Sequence, residues 1–471
     1  MVLNSENFFY RFPLTTNRIK TLGNSVLKKT EILSHAMNTR IVYHGALNYL
    51  IDKFIEHKLE FGSPVERAVF QGMTRSKYIN RLIRNRPLVF YTPMDVSILR
   101  NSNEPPGSDW RLIGTNHEGA ILMRDYLSYD EIQLSTLLGV SSPTYFINNG
   151  NRNNKGVPSE PGTFEEYGIY LGLTGARFEH FDLMESQHVL VTTEYSTPQN
   201  GYGADGEDVV NRRRLSIWAR VYHQVDQEGN FYFPSYAEVS QKMKNKPDPN
   251  FFPVTNQKSA DTIYVNIPVY KLRLRLSLET LFLDANLRGQ SENKLVYLQV
   301  IGLGLGSWQI CKEQAGWLVD VCYEIIQYNK LPQISVLNFS WFGDGLTCGG
   351  EGNGGIIRTE TGNTIKILFN KRNTADKLEG EYEGRLLVTC YPWDGNAFPG
   401  NEYWRGLLIV SGDPAAASCS CISELQNPYI NEALNSNNIF VAHSDWTVDA
   451  EVNSTDKEKV PLEQESESSS I

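Results

Sequence analysis

Three glycines at alternate positions form the loop Gly302-Leu303-Gly304-Leu305-Gly306, directly after a segment rich in β-branched and aliphatic residues. Glycine lets backbone N–H groups approach a ligand closely, and a helix after such a loop would turn its positive end toward a diphosphate. The spacing differs from G-x-G-x-x-G, and no Lys-Ser/Thr pair follows, so neither a dinucleotide fingerprint nor a P-loop is indicated. The loop predicts backbone binding of a diphosphate; the alternative is a close crossing of strand and helix.

A second polar loop runs from Tyr391 to Trp404. It follows a predicted buried strand and surrounds Asp394, Asn396 and Asn401 with Trp, Pro and Gly residues. Loops at the carboxyl ends of strands are where α/β sheets bind ligands. We therefore predict a ligand site with carboxylate and amide groups here; the alternative is a rigid turn that Asp394 and Asn396 cap.

The segment Gly175–Glu185 concentrates titratable side chains around Arg177, namely Glu179, His180, Asp182 and Glu185. Glu179 or Glu185 could act as an acid or a base if the site raised the pKa of its carboxyl group. The alternative for this segment is an ion-paired helix.

An Asn- and Gly-rich loop, Asn148-Asn149-Gly150-Asn151 and onward to Gly156, follows the predicted strand Thr144–Ile147. Asn and Gly tolerate positive φ, which indicates a specialised loop that leaves a strand. Cys419 and Cys421 lack the second pair that a zinc site needs. We expect no cofactor and no resident metal, although two Asp from separate loops could still bind Mg²⁺, and no Ser/His/Asp or Cys/His/Asn set stands out.

The elements that must position these loops alternate between strands and helices. The clearest unit is Lys294–Phe339, which consists of the strand Leu295–Ile301, the glycine loop, an amphipathic helix and the strand Ile334–Phe339. This is a βαβ unit of a three-layer α/β domain, and Leu386–Tyr391 indicates another buried strand. The predicted fold class is α/β, with a mixed sheet flanked by helices.

Helix signals and composition divide the rest of the chain. Apolar residues from Leu47 to Ile55 recur at helical spacing up to Gly62, and capping boxes begin at Ser63 and Ser128. A basic helix at residues 75–86 is typical of a solvated face, with partner binding as the alternative. We assign residues 1–70 to an N-terminal helical extension, residues 71–445 to the main domain with an insertion near 204–260, and residues 446–471 to a disordered acidic tail.

Charge and hydropathy exclude several classes of protein. The 471 residues carry a formal net charge of −10, and residues 449–471, with seven acidic residues and two lysines, account for −5 of it. The rest of the chain is too mildly charged for a phosphate-backbone footprint, so we expect no nucleic-acid partner. No apolar window of 18 residues predicts a membrane span, the N-terminus lacks a Sec-type signal pattern, and the six Cys indicate a reducing compartment.

Several strings resemble known families. Thr193-Glu194-Tyr195-Ser196 and Asn200-Gly201-Tyr202-Gly203 resemble the stretch that follows the catalytic loop of poly(ADP-ribose) glycohydrolases, and the glycine loop resembles the diphosphate-binding loop of macrodomains. A narrower resemblance, over roughly residues 70–445, is to the macrodomain-like bacterial effectors typified by MavL. It is carried by residues 125–131, 175–179, 393–404 and 411–417.

The resemblance implies a macrodomain-like fold that binds ADP-ribose, and an ADP-ribosyl hydrolase activity. Its MavL-like branch implies arginine-linked ADP-ribose on ubiquitin as the substrate. The glycine loop would hold the diphosphate and the Asn-rich loop the distal ribose, with Tyr202, Asn396 and Asn401 as further ligand contacts. One of three carboxylates would position water or protonate the leaving group: Glu179, Glu185 or Asp394. The glycohydrolase signature of three Gly followed by Gln-Glu-Glu is absent, so the choice among the three stays open.

Two other functions are compatible with the sequence: an ADP-ribose reader without turnover, and an effector that binds a host protein through residues 75–86 and 204–260. Near the C-terminus, Glu463, Glu465 and Glu467 resemble the glutamate-rich export signals of type IV-secreted effectors, and a solubilising tail is the alternative. We expect translocation by a type IV system into host cytosol.

Overall fold

A nine-stranded mixed sheet forms the centre of the molecule. The structure is a computed structural model that describes residue 22 and residues 26–91, 94–255, 261–408 and 412–443. The predicted acidic tail therefore lies outside the described residues. The α/β fold class predicted from the sequence is confirmed, because helices flank a large and mostly parallel sheet.

Fourteen strands are described, and nine of them form the main sheet in the order β11-β12-β10-β9-β13-β5-β4-β1-β14. In chain order the strands are β1 (Arg40–His44), β2 (Val89–Tyr91), β3 (Val96–Ile98), β4 (Gly139–Tyr145), β5 (Tyr167–Leu173), β6 (Leu190–Val191), β7 (Phe251–Thr255), β8 (Thr262–Asn266), β9 (Val296–Ile301), β10 (Ile334–Ser340), β11 (Ile356–Arg358), β12 (Thr364–Asn370), β13 (Leu386–Pro392) and β14 (Ile439–Ala442).

The α-helices of the described residues fall into three groups along the chain. The N-terminal group is α1 (Val26–Met37), α2 (Leu47–Phe61), α3 (Pro64–Phe70), α4 (Arg75–Arg84) and α5 (Tyr129–Ser135). The middle group is α6 (Ser186–Val189), α7 (Val209–Val221), α8 (Tyr236–Asn245), α9 (Ile267–Glu292) and α10 (Gln314–Tyr328). The last group is α11 (Asn401–Trp404), α12 (Gly412–Cys419) and α13 (Ile422–Leu425).

Strand direction brings several loops to one edge of the sheet. Strands β12, β10, β9, β13 and β5 are mutually parallel, whereas β4 runs antiparallel to β5. Pro392 pairs with Leu173, and Ser340 pairs with Ile301, so the parallel strands end together. We call this end of the sheet the carboxyl edge, which is where open α/β sheets bind ligands.

Helices cover both faces of the sheet. Neighbouring residues of a strand point to opposite faces. In β4, the Ser141 hydroxyl donates to Asp284 of α9 at 2.7 Å, whereas the Ser142 hydroxyl accepts from Gln426, which follows α13, at 3.2 Å. Helix α9 therefore lies on one face and the α12–α13 segment on the other, which makes the three layers.

Several sequence signals are confirmed. Helix α2 ends before Gly62, and capping boxes at Ser63 and Ser128 open α3 and α5. The predicted βαβ unit is β9, α10 and β10, and the two flanking strands pair in parallel.

Two assignments need correction. Residues 40–44 were assigned to an N-terminal extension, but β1 pairs with β4 and β14 and is therefore part of the main sheet. The basic helix was expected to be a solvated face. Arg81 and Arg86 are buried instead, because Arg81 forms an ion pair with Glu131 at 2.6 Å and Arg86 packs under a loop of the carboxyl edge.

The segment near residues 204–260, predicted to be an insertion, contains α7, α8 and β7, and β7 belongs to a separate sheet, β6-β8-β7. Among the described residues, every helix is too short or too polar to cross a lipid bilayer.

Candidate active site

The loop after β5 begins the site. Residues 174–184 are irregular and not helical, which excludes the ion-paired helix as an interpretation of this segment. Gly175 lies so close to the glycine loop that a Cβ atom there would be 2.2 Å from the backbone nitrogen of Gly304. Only glycine allows this approach, so the loops that follow β5 and β9 meet over the carboxyl edge.

The glycine loop follows β9, as predicted. Gly304 has φ +73°, and Leu303 is buried in the core. Among the described residues, the backbone N–H groups of Gly304 and Gly306 donate no hydrogen bond; Gly306 is exposed, whereas the Gly304 nitrogen lies close to Gly175. Helix α10 begins only at Gln314, so its N-terminus is not directly continuous with the loop.

The loop after β13 supplies a cluster of carboxyl groups. Trp393 extends the pairing with β5, since its N–H donates to the carbonyl of Leu173 at 2.7 Å, and the partly buried Asp394 follows. Buried Asn401 donates its side-chain amide to Asp394 and to the carbonyl of Phe90, the latter at 2.9 Å. The N–H of Asn401 also donates to Asp413 at 3.2 Å, so this residue joins the two aspartates.

Four carboxyl groups form what we call the acidic cluster: Glu179, Asp394, Glu402 and Asp413. Burial raises the pKa of Asp394 to about 7; the charges of Glu402 and Glu179 add to the rise, whereas Arg177 and the Asn401 hydrogen bond oppose it. Burial and the neighbouring Asp394 also raise the pKa of Asp413 well above its usual range. Both carboxyl groups of this pair therefore hold a proton more tightly than a free aspartate does.

Arg177 links the acidic cluster to a buried ion-pair network. Its guanidinium donates to Asp95 at 2.7 Å and to Glu179, and Nη1 has no hydrogen-bond partner among the described residues. Asp95 has φ +55° and also binds the imidazole of His180 at 3.1 Å and the hydroxyl of Tyr129. Burial alone would raise the pKa of Asp95, but these hydrogen bonds outweigh burial and lower it.

Glu185 occupies a different position from the other two predicted carboxylates. It is buried, and Oε1 accepts hydrogen bonds from Arg273 at 3.0 and 3.2 Å and from the Thr136 hydroxyl at 3.1 Å. Arg273 also donates to the carbonyl of Gly175 at 3.3 Å. Glu185 Oε2 also accepts from the backbone N–H of Arg177 at 3.3 Å, so Glu185 and Arg273 fix the loop after β5, whereas Glu179 pairs with the Arg177 guanidinium.

Arg86 packs against the loop after β13 and fixes its conformation. Its guanidinium stacks on the Trp393 ring at 4.1 Å and donates to the Ser135 hydroxyl at 2.5 Å, and that hydroxyl donates to the carbonyl of Gly395 at 3.1 Å. The residues on both sides of Asp394 are thereby fixed. Burial lowers the pKa of Arg86 to about 9.

Trp341 is a further residue of the carboxyl edge that was not singled out in the sequence. It directly follows β10, which pairs with β9, the strand before the glycine loop. Its backbone φ is +65°. Its indole N–H donates to the carbonyl of Arg372 at 3.0 Å, yet 60% of the residue is exposed. A large aromatic ring held exposed in a strained backbone conformation is a candidate ligand contact.

The Asn-rich loop begins at the end of the sheet opposite the carboxyl edge, because β4 is antiparallel to β5. The Asn148 and Asn149 side chains accept from the N–H groups of Gly150 and Asn151, at 2.9 and 3.1 Å, and so stabilise their own turns. The Asn149 and Asn151 side-chain amides also donate to Asp376 and Asn373 in the loop after β12, at 2.8 and 3.3 Å.

The two remaining predicted ligand residues differ in their surroundings. Tyr202 is buried in the insertion, where its hydroxyl donates to the carbonyl of Gln187 at 2.7 Å. Asn396 is buried in the loop after β13, and its Oδ1 has no hydrogen-bond partner in the described part of the chain. Within the same residues, no group of three or more His, Cys, Asp or Glu side chains is arranged to hold a metal ion.

Comparison with known proteins identifies the family. The model of a family described as ADP-ribosylhydrolase MavL-like matches residues 1–453. Two proteins of Drosophila melanogaster, each named ADP-ribosylarginine hydrolase, are similar to this chain. The first is 33% identical over 445 residues, covering 92% of this chain and 84% of the relative. The second is 36% identical over 411 residues, covering 85% and 77%. The chain therefore belongs to the MavL-like ADP-ribosylhydrolase family, and it is a glycosidic-bond hydrolase that removes ADP-ribose.

Proposed function

We propose that the protein removes ADP-ribose from arginine side chains of proteins, with Asp394 as the catalytic carboxylate. The acidic cluster at the carboxyl edge is the observation that supports this linkage most directly. Its carboxyl groups outnumber the nearby guanidinium groups: Arg177 is already paired with Asp95 and Glu179, and Arg86 stacks on Trp393. A site with excess negative charge favours a cationic guanidinium, and both insect relatives carry the matching name.

The chemistry assigns Asp394 the role of a base. The modified guanidinium is already protonated, so it leaves C1 of the distal ribose as neutral guanidine without an added acid. Ionised Asp394 stabilises the oxocarbenium-like transition state and takes a proton from the attacking water. The water oxygen bonds to C1, and the proton passes to the departing guanidine, which restores its charge.

The rest of the carboxyl edge suits ADP-ribose in a macrodomain-like arrangement. The glycine loop would bind the diphosphate through backbone N–H groups, of which that of the exposed Gly306 donates no hydrogen bond among the described residues. Trp341 would stack on the adenine. Nη1 of Arg177 would donate to a hydroxyl or phosphate oxygen, and Oδ1 of Asn396 would accept from a hydroxyl group. Glu179 orients Arg177, and we give it no direct role in bond cleavage.

A comparison of linkages tests the function. The full-length protein is incubated with proteins that carry ADP-ribose on Arg, Ser or Glu, and released ADP-ribose is measured by chromatography. We expect release from arginine only. Equal release from serine-linked substrate would contradict the argument from charge, because a serine hydroxyl leaves without positive charge.

Replacing Trp341 with Ala is expected to weaken ADP-ribose binding roughly tenfold, since base–aromatic stacking contributes about 1–3 kcal/mol. Calorimetry with ADP-ribose measures the change. Tyr328→Ala removes another exposed aromatic ring, 53% exposed on α10, and serves as the matched control. Equal affinity in both variants would exclude Trp341 from the adenine site.

The pH profile of kcat/KM is expected to rise with pH through about 7, the raised pKa of Asp394. The sign follows from the role of the group: a base must be ionised, and burial keeps this carboxyl protonated at lower pH. Rates between pH 5.5 and 9 on free ADP-ribosyl-arginine measure the profile. A rate that falls across this range instead would indicate that the protonated acid is the active form.

Two finer expectations from the sequence stay predictions. Ubiquitin as the modified protein, and translocation by a type IV system into host cytosol, rest on the resemblance to bacterial effectors; the similar proteins reported above are from an insect. Release from ADP-ribosylated ubiquitin, measured beside a second arginine-modified protein, tests the first. A translocation assay with and without residues 446–471 tests the second. A reader without turnover is disfavoured by the hydrolase family to which the chain belongs.

A further inference from the structure

A separate polar cavity of about 240 Å³ opens in the insertion. Tyr232, Pro234, Phe251 and Pro268 supply flat apolar walls, and charged groups of α8 and of the segment after it lie among them. Such a combination suits a side chain with an apolar stem and a charged end.

Asp248 supplies the buried charge of this cavity, which we call the insertion pocket. The residue is only 8% exposed. Its Oδ1 accepts from the N–H of Asn250 at 2.9 Å, whereas Oδ2 faces the ammonium of Lys242 at 2.6 Å and accepts no hydrogen bond beyond that ion pair among the described residues. The side chain of Lys242 is 63% exposed. A buried carboxylate thus depends for its charge partner on a flexible surface lysine, which another cation can replace.

A second carboxylate makes the pocket negative overall. Glu238 also lines it and is held by the capping box with Ser235, so its charge is fixed in place. With Asp248, it gives two negative charges against the single positive charge of Lys242. The pocket therefore favours a basic side chain over an acidic one.

The position of the insertion pocket relates it to the active site. Asn266, the N-cap of α9, and Pro268 line it, whereas Arg273 of the same helix donates to the carbonyl of Gly175 in the loop after β5. Seven residues of α-helix separate Asn266 from Arg273, a rise of about 10 Å. An extended polypeptide covers about 3.3 Å per residue, so the test varies the spacing between the modified arginine and the basic residue.

We infer that the insertion pocket binds a lysine or arginine side chain of the polypeptide that carries the ADP-ribose, in exchange for Lys242. This inference rests on the proposed removal of ADP-ribose from arginine in proteins and adds a determinant of substrate choice. The bound side chain would place its stem against the aromatic and proline walls and its cationic end at Asp248.

Peptides with one ADP-ribosylated arginine test the inference. One series carries a single lysine two to six residues to either side of that arginine, and a matched series carries norleucine there. For the best lysine position, we expect KM to be roughly tenfold lower than for norleucine, with kcat unchanged. Asp248→Asn keeps the shape and the Asn250 hydrogen bond and should abolish the difference, while Lys242→Ala should enlarge it.

Free ADP-ribosyl-arginine separates this inference from the proposed function. All variants should hydrolyse free ADP-ribosyl-arginine at the wild-type rate, because this small substrate cannot reach the insertion pocket. Lys244→Ala, on the same helix as Lys242, is the control for a change in surface charge. If wild type and Asp248→Asn show the same lysine preference, or if no preference exists while free ADP-ribosyl-arginine is cleaved, the inference is wrong. Failure of the wild type to cleave any arginine-linked substrate would instead overturn the proposed function.

Discussion

Replacing Asp394 with Asn is expected to lower kcat on arginine-linked ADP-ribose by a factor of about 100 or more, the usual contribution of a positioned acid or base. The amide keeps the size of the side chain and can still accept the hydrogen bond from Asn401, so the loop after β13 should keep its shape. Affinity for ADP-ribose, measured by calorimetry, should change by no more than a few-fold. Chromatographic release assays at saturating substrate measure kcat.

An exposed aspartate gives the control for this variant. Asp205→Asn removes a carboxylate at an exposed position of the insertion and should leave kcat unchanged. If Asp394→Asn keeps more than a tenth of the wild-type kcat, Asp394 is not the base. Glu179, the member of the acidic cluster that pairs with Arg177, would then be the next carboxylate to test.

The Asp394→Asn variant, although less active, should be more stable than the wild type at alkaline pH. The pKa of Asp394 is raised in the folded protein above its ordinary value, so its neutral form stabilises folding at low pH and that contribution is lost as pH rises through about 7. Asparagine stays neutral at every pH. We therefore expect the Tm of Asp394→Asn to exceed that of the wild type at pH 8.5, with the difference shrinking as pH falls and disappearing below about 4, the ordinary pKa of aspartate. A protein that is stabilised while it loses activity would show that the buried carboxylate is kept for catalysis and not for folding.

Local sequence signals were sufficient to predict the strands and the helix next to the glycine loop. Strand β9, helix α10 and strand β10 each carry their own periodicity, and the capping boxes at Ser63 and Ser128 are complete within four residues. Other elements lack such signals. Strand β5 contains two glycines, which weaken its strand pattern, although one of them, Gly168, is needed because a Cβ there would be 2.8 Å from the carbonyl of Leu387.

The candidate site was only partly predictable because its decisive contacts join distant parts of the chain. By residue type, Glu179, Glu185 and Asp394 are equivalent carboxylates. What separates them is Arg273, which lies 88 residues from Glu185 in a helix that sequence analysis did not identify. Asp95 was missed, and Arg86 was assigned to a solvated face, for the same reason: a single Asp or Arg shows nothing of its partners until the fold brings them together. The direction of β4, which makes the Asn-rich loop leave the sheet at the end opposite the carboxyl edge, is likewise not visible in one sequence.

Replacing Arg273 with Met is expected to destabilise the protein by about 3–5 kcal/mol, because it leaves the buried carboxylate of Glu185 without its charge partner. Both side chains are almost completely inaccessible to solvent, and their hydrogen bonds fix the loop after β5 against α9. Urea unfolding followed by circular dichroism measures the change, and Lys271→Met in the preceding turn, whose ion pair with Asp320 is exposed, should cost less than about 1 kcal/mol.

The double variant Arg273→Met, Glu185→Gln decides between a positioning and a catalytic role for Glu185. With both charges removed, the uncompensated carboxylate is gone, and the glutamine oxygen still accepts from the Thr136 hydroxyl. We therefore expect the double variant to regain most of the lost stability, which gives a coupling energy of about 2 kcal/mol or more. Its kcat should be within tenfold of the wild type if Glu185 only positions the loop. A double variant that is as stable as the wild type yet has lost kcat by a factor of about 100 would instead place Glu185 in the chemistry, because restored folding removes every other cause of the loss.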